Sequence, residues 1–443
     1  MTSDWLSVLH LYQQTVTASL LQYLQKQTGW KVRRGIYSAR VVLWLMMLQR
    51  LHAGATLASA VQLLLQGAAG GLLENCHRVR RGSISSRTGG YCQARQKLPK
   101  LLCRQVSEEI VERLRQVLSR DAPGRGNVFL LDGSSLELEH CPEIVGTYPP
   151  AQNQHGHSHW PVLRIAVAHD VHTGLAQAPA WGPMYGASAV SEQALAEEIM
   201  AQLPRGATVL GDRNFGVFWV AHAAQQRGLD VLLRLTEVRA RKLAGIFSET
   251  GEREVVWKAS RWDGGKHRTW DDGSQVSGRL IAARIGRGKR QEWLFLFTTL
   301  ALPAQEMVEL YGRRWNIETD LRSLKRTVRL HHISAKSPDM LEKELLMATS
   351  AYNFVRAVMC MAARRKAIDP RQLSFTGVLN VVNCAWSKLI DASTKSAHDR
   401  EFYRVLDLAA QCTLPKRRKR RSYPRTIWNH HRPFPARPAE KTK

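Results

Sequence analysis

The chain has 443 residues, 44% of them hydrophobic, and carries a formal charge of +27 with a pI near 10.3. That length gives room for roughly two or three domains with a real core, and so strong a basic excess points to nucleic acid as a partner. The seven cysteines are scattered, odd in number and never in a CxxC pair, which excludes a disulfide framework or zinc site and fits a reducing cytoplasm. Residues 1–126 hold 18 Lys and Arg against 6 Asp and Glu (net +12), and residues 413–443 hold 11 against 1 (net +10), leaving only +5 for the middle. Two basic flanks around a balanced centre suit a DNA-binding protein with a catalytic core. No basic start followed by an apolar run marks a signal peptide. The longest apolar block, Val41 to Leu48, is too short to span a bilayer. A soluble, cytoplasmic chain without a membrane partner is expected.

Residues 1–125 read as helices, with apolar periodicity through "LSVLHLYQQTVTASLLQYL", "RVVLWLMMLQRL" and "LASAVQLLLQ". A further helical region, "SISSRTGGYCQARQKLPKLLCRQVSEEIVERLRQVL", contains a Gly-Gly break and a Pro. Arg95 and Lys97, beside Arg87 and Lys100, make it a candidate helix-turn-helix-like DNA reader; a solvated basic face is the plain alternative. From residue 126 to 238 strands and helices mix. "NVFLLDGSSLEL" is a strand, "PVLRIAVAHDVHTGLAQAPAWGP" two strands, and "SEQALAEEIMAQL" a helix opened by Ser191 with Glu192 in its first turn. "ATVLGDRNF" is a buried strand ending in Asp212, "GVFWVAHAAQQRG" a helix, and "LDVLLRLTEV" another strand, which together predict a mixed α/β sheet. Residues 239–300 read as a β-rich insertion closed by "EWLFLFTTL", residues 301–335 as a catalytic helix, residues 336–412 as a C-terminal helical region, and residues 413–443 as a basic, disordered tail.

The stretch "YGRRWNIETDLRSLKRTVRL" carries the chemistry. On one continuous helix at about 100° per residue, Tyr311, Arg314, Glu318 and Lys325 share an arc of roughly 60°, beside an apolar stripe of Leu310, Ile317, Leu321, Leu324 and Val328. One face packs while its neighbour presents a carboxylate flanked by two cations and a phenol. Two further carboxylates stand at costly positions: Asp132 inside an apolar strand, and Asp212 at the end of another. Each has a structural alternative, as a turn, a cap or a local ion pair. Together, in a basic chain, they predict a two-metal phosphoryl-transfer site, because Mg²⁺ takes hard carboxylate oxygens. Asp320 is a rival third acid, but the wheel turns it away from the polar stripe. Asp170 sits at a turn and reads as structural. His155, His157 and His159 alternate in "HGHSHW" without the acidic or Cys partners of a metal ribbon, and read as a solvated or DNA-facing patch.

At these residues the chain resembles the cut-and-paste DDE transposases of bacterial insertion sequences. The spacing Y-(2)-R-(3)-E-(6)-K at Tyr311, Arg314, Glu318 and Lys325 is similar to the signature of the IS-four family, as are "DRNF" at Asp212 and "SYPR" in the tail. The resemblance implies an RNase H-like mixed-sheet core interrupted by a β-rich insertion, with an α-helical N-terminal domain and a basic C-terminal tail. It implies Asp132, Asp212 and Glu318 as catalytic ligands of two Mg²⁺ ions, with Mn²⁺ as a substitute. Tyr311, Arg314, Lys325 and Arg322 would grip phosphates, and Trp293 and Trp315 would handle a flipped base, although core packing explains either indole equally. The implied partners are double-stranded DNA, as terminal inverted repeats and target, and a second copy in a synaptic homodimer on the bacterial nucleoid. The implied reaction is nicking, hairpin formation and opening, then strand transfer. An RNase H-like nuclease without strand transfer, or a catalytically silent DNA-binding inhibitor, are the competing readings.

Overall fold

The structure is a computed structural model and describes residues 8–29, 35–52, 56–73, 76–119, 127–153, 156–260, 273–286, 291–391 and 395–415. In chain order its elements are α1 (Val8–Thr15), α2 (Ala18–Thr28), α3 (Ala39–Leu51), α4 (Leu57–Leu65), α5 (His77–Arg80), α6 (Gly89–Lys97) and α7 (Lys100–Ser119). There follow β1 (Val128–Glu137), α8 (Pro142–Thr147), β2 (Pro150–Asn153), β3 (Gly156–Asp170), β4 (Ala180–Pro183), α9 (Glu192–Met200), β5 (Thr208–Gly211), α10 (Phe218–Gln226), β6 (Asp230–Leu235) and α11 (Glu237–Ala244). The last are β7 (Gly251–Lys258), β8 (Gln275–Ile285), β9 (Glu292–Thr298), α12 (Ala304–Gly312), α13 (Trp315–Arg322), α14 (Pro338–Arg365), α15 (Phe375–Asp391) and α16 (Lys395–Ala409).

Two compact units divide the chain. The first comprises Met1–Arg120, Leu136–Val162 and Ser323–Lys443; the second Asp121–Ser135 and Leu163–Arg322. The first unit is built around α14, which Ser337 caps by accepting from the Met340 amide, with Pro338 in the first turn. By length and hydropathy α14 could cross a membrane, but 94% of its most apolar window is buried inside the fold. It is a core helix, packed against α3, α7, α15 and α16. Its buried charges are paired, as burial in low dielectric requires. Arg50 and Arg95 converge on Glu344, Lys100 reaches Glu342 at 2.6 Å, and Tyr148 donates to Glu342 at 3.0 Å.

The second unit is a mixed sheet with helices. Its strands run β3-β1-β5-β6-β9-β8-β7, and β4 joins β3 antiparallel. β1, β5 and β6 are mutually parallel, while β9, β8 and β7 continue the sheet antiparallel. Apolar runs such as "VFLL" and "TVLG" are buried because helices cover the parallel strands. α9 is opened by Ser191, which accepts from the Ala194 amide, and α11 by Thr236, which accepts from the Arg239 amide.

The Gly-Gly and the Pro do separate short helices: α6 opens at Gly89, where a Cβ on Gly90 would stand 3.1 Å from the Tyr37 ring, and Pro99 lies between α6 and α7. One local expectation changes. The stretch 311–330 is not one helix. α12 stops at Gly312, Arg314 bonds back to the Tyr311 carbonyl, α13 restarts at Trp315, and a π turn follows over Ser323–Thr327. Arg329 then takes a left-handed φ of 60°. Gly312 is a poor helix former, and the break lets Tyr311 and Arg314 turn inward, to 6% and 9% exposure.

Candidate active site

Strand register sets the two aspartates level. Leu130 of β1 pairs with Leu210 of β5, so Asp132, midway along β1, and Asp212, just past the end of β5, each two residues further on, lie on the same sheet face where the β1–β5 pairing ends. Asp132 accepts from the Gly133 amide at 2.8 Å and Asp212 from the Asn214 amide at 2.8 Å. Burial pushes the Asp132 carboxyl up to about 6; Asp212 and Glu192 push the same way, while the Gly133 amide and Arg314 oppose them. A desolvated carboxylate among like charges favours whatever neutralises it, a proton or a cation.

Glu318 projects outward, its side chain 46% exposed, with Arg314 at 3.5 Å. Asp320, two residues on, is 2% exposed and faces the core. Of the apolar stripe, Ile317, Leu321, Leu324 and Val328 are buried, while Leu310, before the break in the helix, is half-buried. Among the described residues, no three His, Cys, Asp or Glu side chains converge tightly enough to hold a metal ion. Arg314 pairs with Glu318 and also stabilises the charge on Asp132. The donor set still suits a hard divalent cation, because Asp132 and Asp212 offer carboxylate oxygens on one sheet face and Asp132 is undercompensated.

Tyr311 is buried in the second unit, and its hydroxyl has no well-formed hydrogen bond. Burial raises its pKa, which Arg314 and Arg234 on β6 oppose. Arg322 is exposed at the end of α13. Lys325 lies in the π turn and belongs to the first unit. Burial lowers its pKa, Arg326 adds to this, and Glu137 opposes.

The indoles separate. Trp293 stacks on Phe295 at 5.7 Å with the Arg284 guanidinium 3.9 Å from its ring, and packs on the sheet core. Trp315 is 60% exposed, with Arg314 at 4.9 Å. The basic pair on α6 separates as well. Arg95 is not an outward DNA contact: it is buried against Tyr91 and tied to Glu344. Lys97 is exposed and lines a cavity of about 560 Å³ with Arg78 and Arg87. Asp170 is structural, accepting from His172, Thr173 and the Thr173 hydroxyl within its turn. His155 lies outside the described residues, as does the tail from residue 416, and His159 stacks on His140 at 4.4 Å.

The sequence reading missed a polar brace. Glu192 accepts from the Asn214 side chain at 2.5 Å, and Gln193 donates to the Asn214 carbonyl and Oδ1 at 2.9 and 2.8 Å. A Cβ on Gly133 would lie 2.4 Å from the Glu192 carboxyl carbon, so the first turn of α9 presses on both aspartate turns. In sequence Glu192 is an ordinary acid after a helix cap; only its position against Gly133 singles it out. Arg234, facing Tyr311, was likewise hidden within an apolar strand.

Asp132 on β1, Asp212 just after β5, and Glu318 after them on α13 all lie within a stretch that matches a known family. The transposase DDE domain model matches residues 123–354, more than half of the chain. The chain belongs to the DDE transposase family. It is 26% identical over 322 residues to the transposase InsG of insertion sequence element IS4 from Escherichia coli (strain K12), covering 70% of each protein. The resemblance to the IS-four group therefore stands. A cryo-EM structure of a piggyBac transposase synaptic complex with hairpin DNA aligns over 94% of this chain and 87% of its own, at 10% identity and a TM-score of 0.45. This transposase is thus an enzyme of DNA phosphoryl transfer, a chemistry for which the family uses divalent metal.

Proposed function

We propose that this DDE transposase carries out cut-and-paste transposition: it binds terminal inverted repeats as a dimer, nicks, forms and reopens a hairpin, and joins the freed ends to target DNA. The carrying observation is the pair Asp132 and Asp212, level where the pairing of β1 with β5 ends, with Asp132 raised by burial and by its acidic neighbours. Asp132, Asp212 and Glu318 are the residues that would hold two Mg²⁺ ions, or Mn²⁺ in their place. When bound, such ions supply Lewis acidity and a stronger oxygen nucleophile at neutral pH.

The remaining work falls to the chain itself. Arg314 neutralises Glu318 in the resting state, and a phosphate arriving beside it competes for the same guanidinium by bidentate, charge-assisted bonds. That exchange frees Glu318 as DNA enters. The buried Tyr311 hydroxyl, lacking a well-formed partner, donates to the same phosphate. Lys325 and Arg322 serve as further phosphate grips, and Lys97 with Arg78 and Arg87 as a contact to the end DNA in place of Arg95. Trp315 is the better base-stacking surface, because Trp293 is already covered by Arg284 and Phe295. The domain reading carries over as an RNase H-like core containing β1, β5 and β6, with α11 and β7 to β9 as the insertion and a basic tail beyond. A bacterial, nucleoid-associated location follows from this activity.

Nicking of an end-repeat duplex, hairpin formation and strand joining test the reading together. Asp132→Asn, Asp212→Asn and Glu318→Gln should each abolish nicking while retaining DNA affinity, and Asp320→Asn should still nick. Wild-type protein that cuts both strands without a hairpin or joined product would favour the plain nuclease.

A further inference from the structure

Strand pairing fixes Asp132 inside β1 but stops at Gly211, one residue before Asp212. Side chains hold the turn that carries Asp212 instead. The Asn214 amide donates to Asp212 Oδ1 at 2.8 Å. The Asn214 side chain donates through Nδ2 to Glu192 Oε2 at 2.5 Å, while Gln193 Nε2 donates to its Oδ1 at 2.8 Å and to its carbonyl at 2.9 Å. Asn214 thus uses its amide, its carbonyl and both ends of its side chain, which fixes the side-chain orientation. On the next element Arg239 donates to the Arg213 carbonyl at 3.0 Å. Glu192 makes a second connection. Gly133 follows Asp132 in β1 and so faces the opposite side of the sheet, where α9 packs. There a Cβ on Gly133 would stand 2.4 Å from the Glu192 carboxyl carbon and 2.6 Å from Oε1. The Gly133 amide in turn donates to Asp132 Oδ1 at 2.8 Å. An unbroken chain of contacts runs from Asp132 through Gly133, Glu192 and Asn214 to Asp212.

From this geometry we propose that Glu192 is a positioning residue for the metal-binding acids: acting through Asn214 and Gly133, it holds the Asp212 turn in place against Asp132. Mg²⁺ tolerates little deviation in the placement of its ligands, so an aspartate on an untethered turn would bind it weakly. Hydrogen bonds to ligating carboxylates set metal affinity for the same reason. Here one oxygen of each aspartate is engaged by a backbone amide, and Glu192 braces the residues that supply both amides. The inference rests on Asp132 and Asp212 binding a divalent metal, as proposed above. It adds a residue that acts through its neighbours and not on the metal itself.

The test titrates Mn²⁺ into the full chain at pH 8 and follows the melting temperature, which rises as metal binds the folded state. Glu192→Ala should move that titration to about 10- to 100-fold higher Mn²⁺. Asn214→Ala, on the exposed turn, should do the same. The double variant should move it no further than either alone, because both residues act along one chain of contacts. Glu192→Gln, which keeps an oxygen to accept from Asn214, should recover most of the loss. In both alanine variants nicking of the end-repeat duplex should be slow at low Mn²⁺ and approach the wild-type rate at high Mn²⁺, with DNA affinity in chelator unchanged. A merely structural role would lower the melt in chelator and leave the titration where it was. That result in both alanine variants, or additive displacements in the double variant, would overturn the positioning role; Asp132→Asn insensitive to Mn²⁺ beside it would leave the metal reading standing. A wild-type melt that ignores Mn²⁺, or an Asp132→Asn melt that follows it as wild type does, would overturn both.

Discussion

Replacing Asp132 with Asn should stabilise the metal-free protein while abolishing its activity. In the folded chain this carboxyl titrates at about 6 against an ordinary value of 3.8, chiefly through burial, with Asp212 and Glu192 adding repulsion. At 1.36 kcal/mol per pH unit, that difference makes the ionised carboxylate cost about 3 kcal/mol of folding stability. The sign follows from proton counting. The folded state binds the proton more tightly than the unfolded chain, so the penalty is absent below pH 4, grows between about 4 and 6, and is fully present above 6. Asparagine keeps the shape and removes the charge. Thermal melts in chelator at pH 8 should then show Asp132→Asn above wild type by roughly 6–12 °C, at 2–4 °C per kcal/mol for a unit of this size. At pH 4 the two should melt together. Adding Mg²⁺ or Mn²⁺ at pH 8 should raise the wild-type melt, since a ligand that binds only the folded state stabilises it, and should leave the variant unmoved. A variant that melts below wild type at pH 8, or that gains as much from metal, would refute the view of Asp132 as an undercompensated ligand.

Three other outcomes are expected, two from the packing and one from the charge of the tail. Gly133→Ala should drive a methyl into the Glu192 carboxyl, 2.4 Å from its carbon, and release Asn214; a loss of about 1–3 kcal/mol with reduced nicking is expected in melts and cleavage gels, and wild-type behaviour in both would remove Glu192 from the brace. Arg95→Ala should act on stability and not on DNA, because it leaves Glu344 buried with one cation fewer; a melt lower by the equivalent of about 3 kcal/mol and an unchanged salt slope of DNA binding would bear this out. Deleting residues 416–443, where the basic tail begins, should weaken binding to all sequences and flatten the plot of log affinity against log salt by about 0.9 for each phosphate the tail had neutralised; an unchanged slope would mean that the tail touches no DNA.

What was legible in the sequence is what local pattern controls. Asp132 and Asp212 stood out because a charge within or at the end of an apolar strand is costly wherever that strand packs, and the strands pack as their patterns require. The separation of Glu318 from Asp320 followed from helical spacing, since α13 is long enough to keep the two faces apart, but the burial of Asp320 did not. The Tyr311–Lys325 arc failed because it assumed one helix through Gly312 and Ser323, and short breaks leave almost no mark on periodicity. Arg95 and Lys97 read alike as basic residues, yet Glu344, brought close only by the docking of α14, buries the first and leaves the second exposed. The brace from Glu192 to Gly133 and Asn214 joins residues from separate elements. Only tertiary packing decides these, because the energy of a carboxylate, a guanidinium or an indole depends on what lies across from it in space, and side-chain spacing along the chain carries no record of that neighbour.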